Sequence, residues 1–322
     1  MRRTPARPDA PARPILKWAG GKRQLLPQLR RFYPGSFARY VEPFVGSGAV
    51  FLDLYTRGRL DGCPVLLADI NPDVVGCYHA VRDAVEEVIA ELATLADAHR
   101  RRGSALFYEV RDERFNPARR AAFVAEGGHG PRYSPELAAM LIYLNRTGYN
   151  GLYRLNARGD FNVPAGRYAA PRILDAGNLR RVSRALAREG VSIANATFET
   201  ILRSATAGDF LYIDPPYAPV SPTARFTAYT AGGFGLEDQA WLRDEVVALA
   251  CSGCHVLVSN STAPAIRRLY VDHLPARQAG LRAHRVPARR AINSRGHRRG
   301  PVLEYLITNV PASGPAPGRE TV

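Results

Sequence analysis

The 322-residue chain lacks any uninterrupted apolar run of about 18 to 20 residues, so no membrane-spanning helix is expected. Its opening, MRRTPARPDAPARP, is positively charged but has no apolar core of the kind a secretory signal needs, and a cytoplasmic protein is the default. Cysteine is scarce: Cys63, Cys77, Cys251 and Cys254 are the four. The Cys251-Ser-Gly-Cys254 pair is followed by His255, but no second ligand pair stands at finger-like spacing, so the thiols read as structural and no metal is expected. Two phosphate signatures are also missing. The glycines at 46 and 48 lack the G-x-x-x-x-G-K-[ST] pattern of a P-loop and the third glycine of a dinucleotide fingerprint, which argues against nucleotide hydrolysis and hydride transfer. There is no internal repeat.

What the chain has in excess is positive charge. It carries 44 basic against 29 acidic side chains, a formal +15, which favours a polyanionic partner through phosphate neutralisation. An Arg-rich composition is also compatible with coding bias, so charge permits nucleic acid without requiring it. With 46% hydrophobic residues the chain can bury a substantial core. The Pro/Arg-rich arm at 1–13 and the tail at 310–322 offer no apolar face and are expected to be disordered.

Between them, short β-rich runs alternate with helical patterns. Tyr40-Val41 leads into a glycine turn, Val65 to Ala68 ends at Asp69, Phe210 to Ile213 ends at Asp214, and Val256 to Val258 follows later. That rhythm predicts a doubly wound, Rossmann-like α/β sheet, with ligands beyond the carboxyl ends of the strands, where Glu42, Asp69 and Asp214 fall. The segment 74–170 departs from the rhythm. Val81, Val85, Val88 and Leu92 recur at helical spacing, a Gly-Gly-His-Gly-Pro loop follows, and aromatic/polar alternation from Tyr149 to Pro164 predicts a β-hairpin turning at Ala157 to Asp160. The expected organisation is a catalytic domain at 14–73 and 171–309, interrupted by a helical and hairpin subdomain at 74–170.

Three constellations carry chemistry. Tyr40-Val41-Glu42-Pro43-Phe44-Val45-Gly46-Ser47-Gly48 reads as a strand, a glycine turn and a helix start whose free N–H groups face a ligand, though an unliganded βα turn has the same form. Asp69, ending the next strand before Ile70-Asn71-Pro72, suits the two hydroxyls of a ribose, and equally suits a helix cap. Together they imply an adenosine-containing ligand. The most specific signal is Asp214-Pro215-Pro216-Tyr217. Two prolines at a strand end fix an extended chain without N–H donors and leave its carbonyls as acceptors. An aromatic amine such as adenine N6 is a poor nucleophile because its lone pair is delocalised. Acceptance of its N–H bonds by the Asp214 carboxylate and the Pro215 carbonyl draws the nitrogen towards a tetrahedral form, while Pro216 stiffens the platform and Tyr217 offers a stacking face.

Taken in order, Lys17-Trp18-Ala19-Gly20-Gly21-Lys22, VEPFVGSG, LADIN, YLNRTGYNGLYR with GDFNVPAGRY, DPPY and FTAYTAGGFGLEDQAWL resemble the Dam-type (D12 class) DNA adenine-N6 methyltransferases over about residues 14 to 309. The resemblance implies S-adenosylmethionine as cofactor, held by Trp18, Lys22, Asp69 and Asp214, with Glu42 near the methionine ammonium and Phe44, Gly46 and Gly48 in the same motif. It leaves Lys17 as a phosphate or solvent contact. It implies double-stranded DNA as partner, met by Tyr149, Asn150, Leu152, Arg154, Pro164 and Tyr168. Arg154 suits guanine O6/N7, and Tyr149 with Asn150 suit the space vacated by a flipped adenine. The counterpart of the family's guanine-reading Arg makes GATC the expected target, and a monomer is assumed. Two departures stand out: Ala165-Gly166 replaces a bulkier family version, and Arg277, Arg282, Arg285, Arg289, Arg290, Arg295, Arg298 and Arg299 add charge that the family pattern does not explain. Two rival readings remain, a methyltransferase acting on RNA or a protein amide and a DNA-binding module whose catalytic site has decayed.

Overall fold

A computed structural model describes residues 10–18, 20–125, 132–218, 234–289 and 301–313. Seven strands, β1 Tyr40–Glu42, β2 Val65–Asp69, β3 Val191–Asn195, β4 Phe210–Ile213, β5 His255–Ser261, β6 Arg282–Arg289 and β7 Pro301–Thr308, form one sheet in the order β3-β2-β1-β4-β5-β7-β6. The first five pair in parallel, with Tyr40 opposite both Val65 and Phe210. β7 enters antiparallel between β5 and β6, Ser259 facing Leu306 and Arg285 facing Tyr305.

The sheet is covered on both faces, and the period of two along each strand sorts its side chains into two cores. Tyr40, Val65, Leu67, Phe210, Tyr212, Leu257 and Leu306 join one. Val41, Ala68, Leu211, Ile213, Val256, Val258 and Ile307 join the other. Helices Ala49–Thr56, Pro72–Asp83 and Ala176–Leu186 supply Phe51, Cys77 and Val182 to the first core, and Phe198–Arg203 and Leu236–Cys251 supply Leu202 and Val246 to the second. The doubly wound α/β architecture therefore follows from near-continuous apolar strands with both faces buried.

The helical spacing from Val81 to Leu92 is divided between two helices. Pro72–Asp83 stops at Ala84, whose φ of −142° and ψ of 45° are not helical, and Val85–Arg102 begins anew. The first is started by Asn71, whose side chain accepts the Asp73 N–H at 2.9 Å, with Pro72 at its first position. Its Val74, Cys77, Tyr78 and Val81 share the core of β1 and β2, so this helix belongs to the sheet's own crossover. Val85–Arg102 and Pro135–Thr147 then pack on that same core through Val88, Leu92, Leu95 and Leu141. The glycine-rich loop at 127–131 lies outside the described residues.

The predicted β-hairpin at 149–164 is not a strand pair. Only two isolated antiparallel bridges are present among the described residues, Leu155 to Phe161 and Gly148 to Ala165. The two arms are tied across the Leu155–Phe161 bridge by Asn156 N–H to the Asp160 carbonyl at 2.8 Å and Asn162 N–H to the Arg154 carbonyl at 3.1 Å, while the outward-facing N–H and carbonyl of Phe161 are satisfied by Asn116 Oδ1 and Nδ2 at 2.8 and 3.1 Å. The turn itself is where the alternation placed it. Asn156 Oδ1 accepts from Arg158 and Asp160 N–H groups at 2.9 and 3.0 Å. At the amino-terminal side, Arg13 is fixed by Asn178 and Asp175, its guanidinium 2.8 Å from Asp175 Oδ2.

Candidate active site

Strands β1, β2 and β4 are neighbours, and their carboxyl ends carry Glu42, Asp69 and Asp214. Between β1 and helix Ala49–Thr56 the chain turns through Gly46 and Gly48 with φ of 43° and 63°, conformations that L side chains rarely adopt. A Cβ on Gly46 would stand 2.8 Å from Trp18 Cδ1, so the missing side chain is what lets the indole lie against the turn. Tyr78 secures the turn from beneath by donating its hydroxyl to the Gly46 carbonyl at 2.7 Å. Asp69 secures it from the side, accepting the Gly46 N–H on one carboxylate oxygen and the Asn71 N–H on the other, both at 2.9 Å. Each oxygen retains capacity for a further donor.

Burial dominates the acid chemistry here. Glu42 is 2% exposed and accepts the Tyr40 hydroxyl at 2.8 Å. Desolvation pushes its carboxyl up to about 8, against the downward pull of that hydrogen bond and with a further upward push from Asp214 and Asp69. Desolvation likewise raises Asp69 to about 6, opposed by its two backbone N–H donors. Asp214 is raised to about 6 by burial and restrained by Lys22. Lys22, only 5% exposed, places Nζ 2.9 Å from Asp214 Oδ1 and 4.7 Å from the centroid of the Tyr217 ring. It also donates to the Gly20 carbonyl. Asp214 Oδ1 is buried and, apart from this charge contact, accepts no directed hydrogen bond.

The DPPY segment is braced from residues far along the chain. Gln239, on helix Leu236–Cys251, donates to the Pro216 carbonyl at 2.8 Å, and its own amide oxygen accepts from Asn260 on β5 at 3.0 Å. Ser261 donates to the Ala218 carbonyl at 2.7 Å, and Tyr217 donates its hydroxyl to Glu304 on β7 at 2.8 Å. The Pro216 and Ala218 carbonyls are thereby committed, whereas the Pro215 carbonyl accepts no hydrogen bond among the described residues. The platform is thus rigid and keeps one acceptor carbonyl next to the Asp214 carboxylate.

Phe44 takes a different direction, stacking on Phe198 at 5.1 Å and approaching Phe234 edge-on at 6.2 Å on the second core. Of the residues expected to meet DNA, Tyr149, Arg154, Pro164 and Tyr168 are exposed, Tyr149 by 43% and Tyr168 by 39%, while Asn150 and Leu152 are half-buried. Leu152 packs on the first core. Asn150 has φ of 54°, the one non-glycine positive φ among the described residues. Arg154 donates to Asn162 through Nε to Oδ1 at 2.7 Å and through a second nitrogen to the carbonyl at 3.2 Å, which holds its guanidinium in a fixed plane. The Pro164 carbonyl accepts the Tyr149 N–H at 2.9 Å.

The two groups of residues are tied together by contacts the sequence did not reveal. Asn145, 2% exposed on helix Pro135–Thr147, accepts the Lys17 N–H at 2.7 Å and donates to the carbonyls of Lys17 and Gly151 at 2.8 and 3.1 Å. Lys17 Nζ lies 4.4 Å from the Tyr168 ring centroid, and burial lowers its ammonium pKa. Tyr153 brings its ring 5.4 Å from that of Trp18. Asn145 sits inside the YLNRTGYN block, but its partners were not readable from that position.

Arg282 and Arg285 lie on β6, where Arg282 donates to the Arg277 carbonyl at 3.1 Å and Arg285 reaches the Tyr305 hydroxyl at 3.3 Å. Arg290, Arg295, Arg298 and Arg299 lie outside the described residues, as does the segment from Phe226 to Gly233. The four cysteines are all free, Cys251 alone exposed. No helix among the described residues is long and apolar enough to cross a membrane.

A family model described as D12 class N6 adenine-specific DNA methyltransferase matches residues 18–292. The chain is 35% identical over 298 residues to the Type II methyltransferase M1.LlaDCHI of Lactococcus lactis subsp. cremoris, covering 92% of this chain and 95% of that protein. It is 36% identical over 307 residues to the Type II methyltransferase M.MjaIII of Methanocaldococcus jannaschii, covering 92% and 99%. It is 35% identical over 303 residues to a DNA adenine methylase of Escherichia coli, covering 93% and 96%.

Proposed function

For a chain that belongs to the D12 class N6 adenine-specific DNA methyltransferases, we propose transfer of a methyl group from S-adenosylmethionine to N6 of an adenine flipped out of duplex DNA within GATC. The observation that carries this reading is the pairing, at the end of β4, of an ionisable carboxylate held by Lys22 with a Pro215 carbonyl that accepts no hydrogen bond among the described residues. Two acceptors on one rigid segment suit an amine with two N–H bonds.

The residues fit the cofactor. Gly46 lets the Trp18 indole lie against the glycine turn, Asp69 presents a carboxylate with spare acceptor capacity, and Glu42 is a buried acid whose ionised form a cation would stabilise. Trp18, Gly46, Asp69, Glu42 and Lys22 would hold it, Lys22 serving as counter-charge for its carboxylate. When bound, S-adenosylmethionine supplies an electrophilic methyl on a positively charged sulfonium.

The chain's own residues do the rest. Asp214 and the Pro215 carbonyl accept the two N6–H bonds, which localises the nitrogen lone pair and aims it. With Asp214 raised to about 6, its carboxylate is mainly ionised at neutral pH and available as an acceptor. Tyr217, whose hydroxyl is fixed by Glu304, keeps its ring against the base. Tyr149 and Asn150 fill the stack that the base leaves, Leu152, Pro164 and Tyr168 complete the DNA face, and Arg154 reads the guanine. The reading is tested by offering labelled S-adenosylmethionine to GATC duplex in competition with structured RNA and with protein. Label must enter the duplex and its adenine N6; preferential labelling of RNA or protein overturns it.

A further inference from the structure

Outside the DPPY site lies another fully buried carboxylate, that of Asp73, whose relative exposure is 0%. It stands two residues after the cap Asn71 and four after Asp69, at the start of helix Pro72–Asp83. Its oxygens accept Arg119 Nε at 2.8 and 2.9 Å, together with the hydroxyls of Tyr133 and Tyr153. Two of the three donors lead elsewhere. Tyr153 carries its ring to Trp18, 5.4 Å away, and Trp18 lies on the Gly46 turn. Arg119 uses a second nitrogen to donate to the Gly159 carbonyl at 2.7 Å, inside the Asn156–Asp160 turn. That turn joins Arg154 to its clamp Asn162. Asp73 is therefore the branch point between the cofactor side and the recognition loop.

A buried ion pair of this kind is weak evidence for stability, because well-packed apolar residues of equal volume often do as well or better. What an apolar cluster does not do is fix directions. Three donors on one carboxylate, the Arg119 Nε–H shared between its two oxygens, set the orientation of the Tyr153 ring and the position of the Gly159 carbonyl together, on a helix that begins at the cofactor strand. We propose that Asp73 is a positioning residue that sets the cofactor face at Trp18 and the target-reading turn at Arg154 relative to each other, while touching neither ligand. The inference rests on the cofactor and DNA faces proposed above.

The test uses the full chain and three variants. S-adenosylmethionine affinity is read by calorimetry, and discrimination is the ratio of methylation rates on a GATC duplex and the same duplex with its guanine replaced. Tyr153→Phe keeps the ring and removes one tie, and it is expected to weaken cofactor binding about five- to tenfold, the worth of one buried hydrogen bond, with discrimination unchanged. Arg119→Lys keeps the charge but loses the planar fork, and it is expected to lower discrimination by a similar factor with cofactor affinity unchanged. Asp73→Asn is expected to do both. A merely structural role would lower Tm in all three without this division. The inference is overturned if folded Asp73→Asn binds and discriminates as wild type does. Should Asp73→Asn fail to fold, the two single-arm variants decide, and both remaining within about twofold of wild type in affinity and discrimination overturns it. If the wild-type chain itself binds no S-adenosylmethionine, the cofactor reading falls first and this inference falls with it.

Discussion

Lys22 Nζ lies 2.9 Å from Asp214 Oδ1, so a lysine near the start of the chain holds the acceptor carboxylate at the end of β4. Burial raises the Asp214 carboxyl to about 6 and the ammonium restrains it. On the proposal that the Asp214 carboxylate accepts N6–H, activity should fall as pH drops through about 6. Lys22→Met removes the restraint, so the acid limb of the kcat profile is expected to move to higher pH, with the loss at neutral pH partly recovered in alkali. A limb that stays in place would show that Lys22 does not set this ionisation.

Glu42 gives a prediction of the opposite kind, on stability. Its folded carboxyl sits near 8 against an ordinary 4.5, so the folded state prefers it protonated. Below 4.5 both states are protonated and there is no penalty; between 4.5 and 8 stability is lost as pH rises, and above about 8 the penalty is complete, of the order of a few kcal/mol. Glu42→Gln should therefore melt above wild type at pH 8 and alike at pH 4, while losing affinity for S-adenosylmethionine. Equal melting curves at both pH values would remove the buried-acid account.

Gln239 acts on the platform from behind through the Pro216 carbonyl. Gln239→Leu keeps the bulk and removes the donor. The expected result is a fall in kcat of about tenfold, corresponding to about 1–1.5 kcal/mol, with cofactor affinity unchanged in calorimetry. A change confined to cofactor affinity would place Gln239 in a different role.

For the DNA side, Arg154→Ala should cost about 1–3 kcal/mol on the cognate duplex and relax choice at a single base, with the slope of binding against salt little altered. If instead binding weakens equally on every sequence and the salt slope falls by about one, Arg154 contacts phosphate.

Much of this site was legible because its parts are local. The apolar runs of β1, β2, β4 and β5, each buried on both faces, carry their own signal, and their acidic ends mark the ligand side. β3 was not, since Val191–Asn195 alternates half-buried and exposed positions without an apolar run. The hairpin expected at 149–164 is reduced to isolated bridges, and the outward-facing backbone groups of Phe161 are bonded by Asn116, a side chain more than thirty residues earlier. Asn145, Asp73, Gln239 and Glu304 escaped for the same reason. Each is bonded to a partner distant in sequence, and no periodicity or motif spacing encodes such a pairing.

The most direct measurement is sequencing for N6-methyladenine in the DNA of a methylation-free host expressing either the wild-type chain or Asp214→Ala. The account predicts N6-methyladenine at the adenine of GATC with the wild-type chain and none with the variant. No methyl group on any adenine with the wild-type chain, or undiminished methylation with Asp214→Ala, would contradict it.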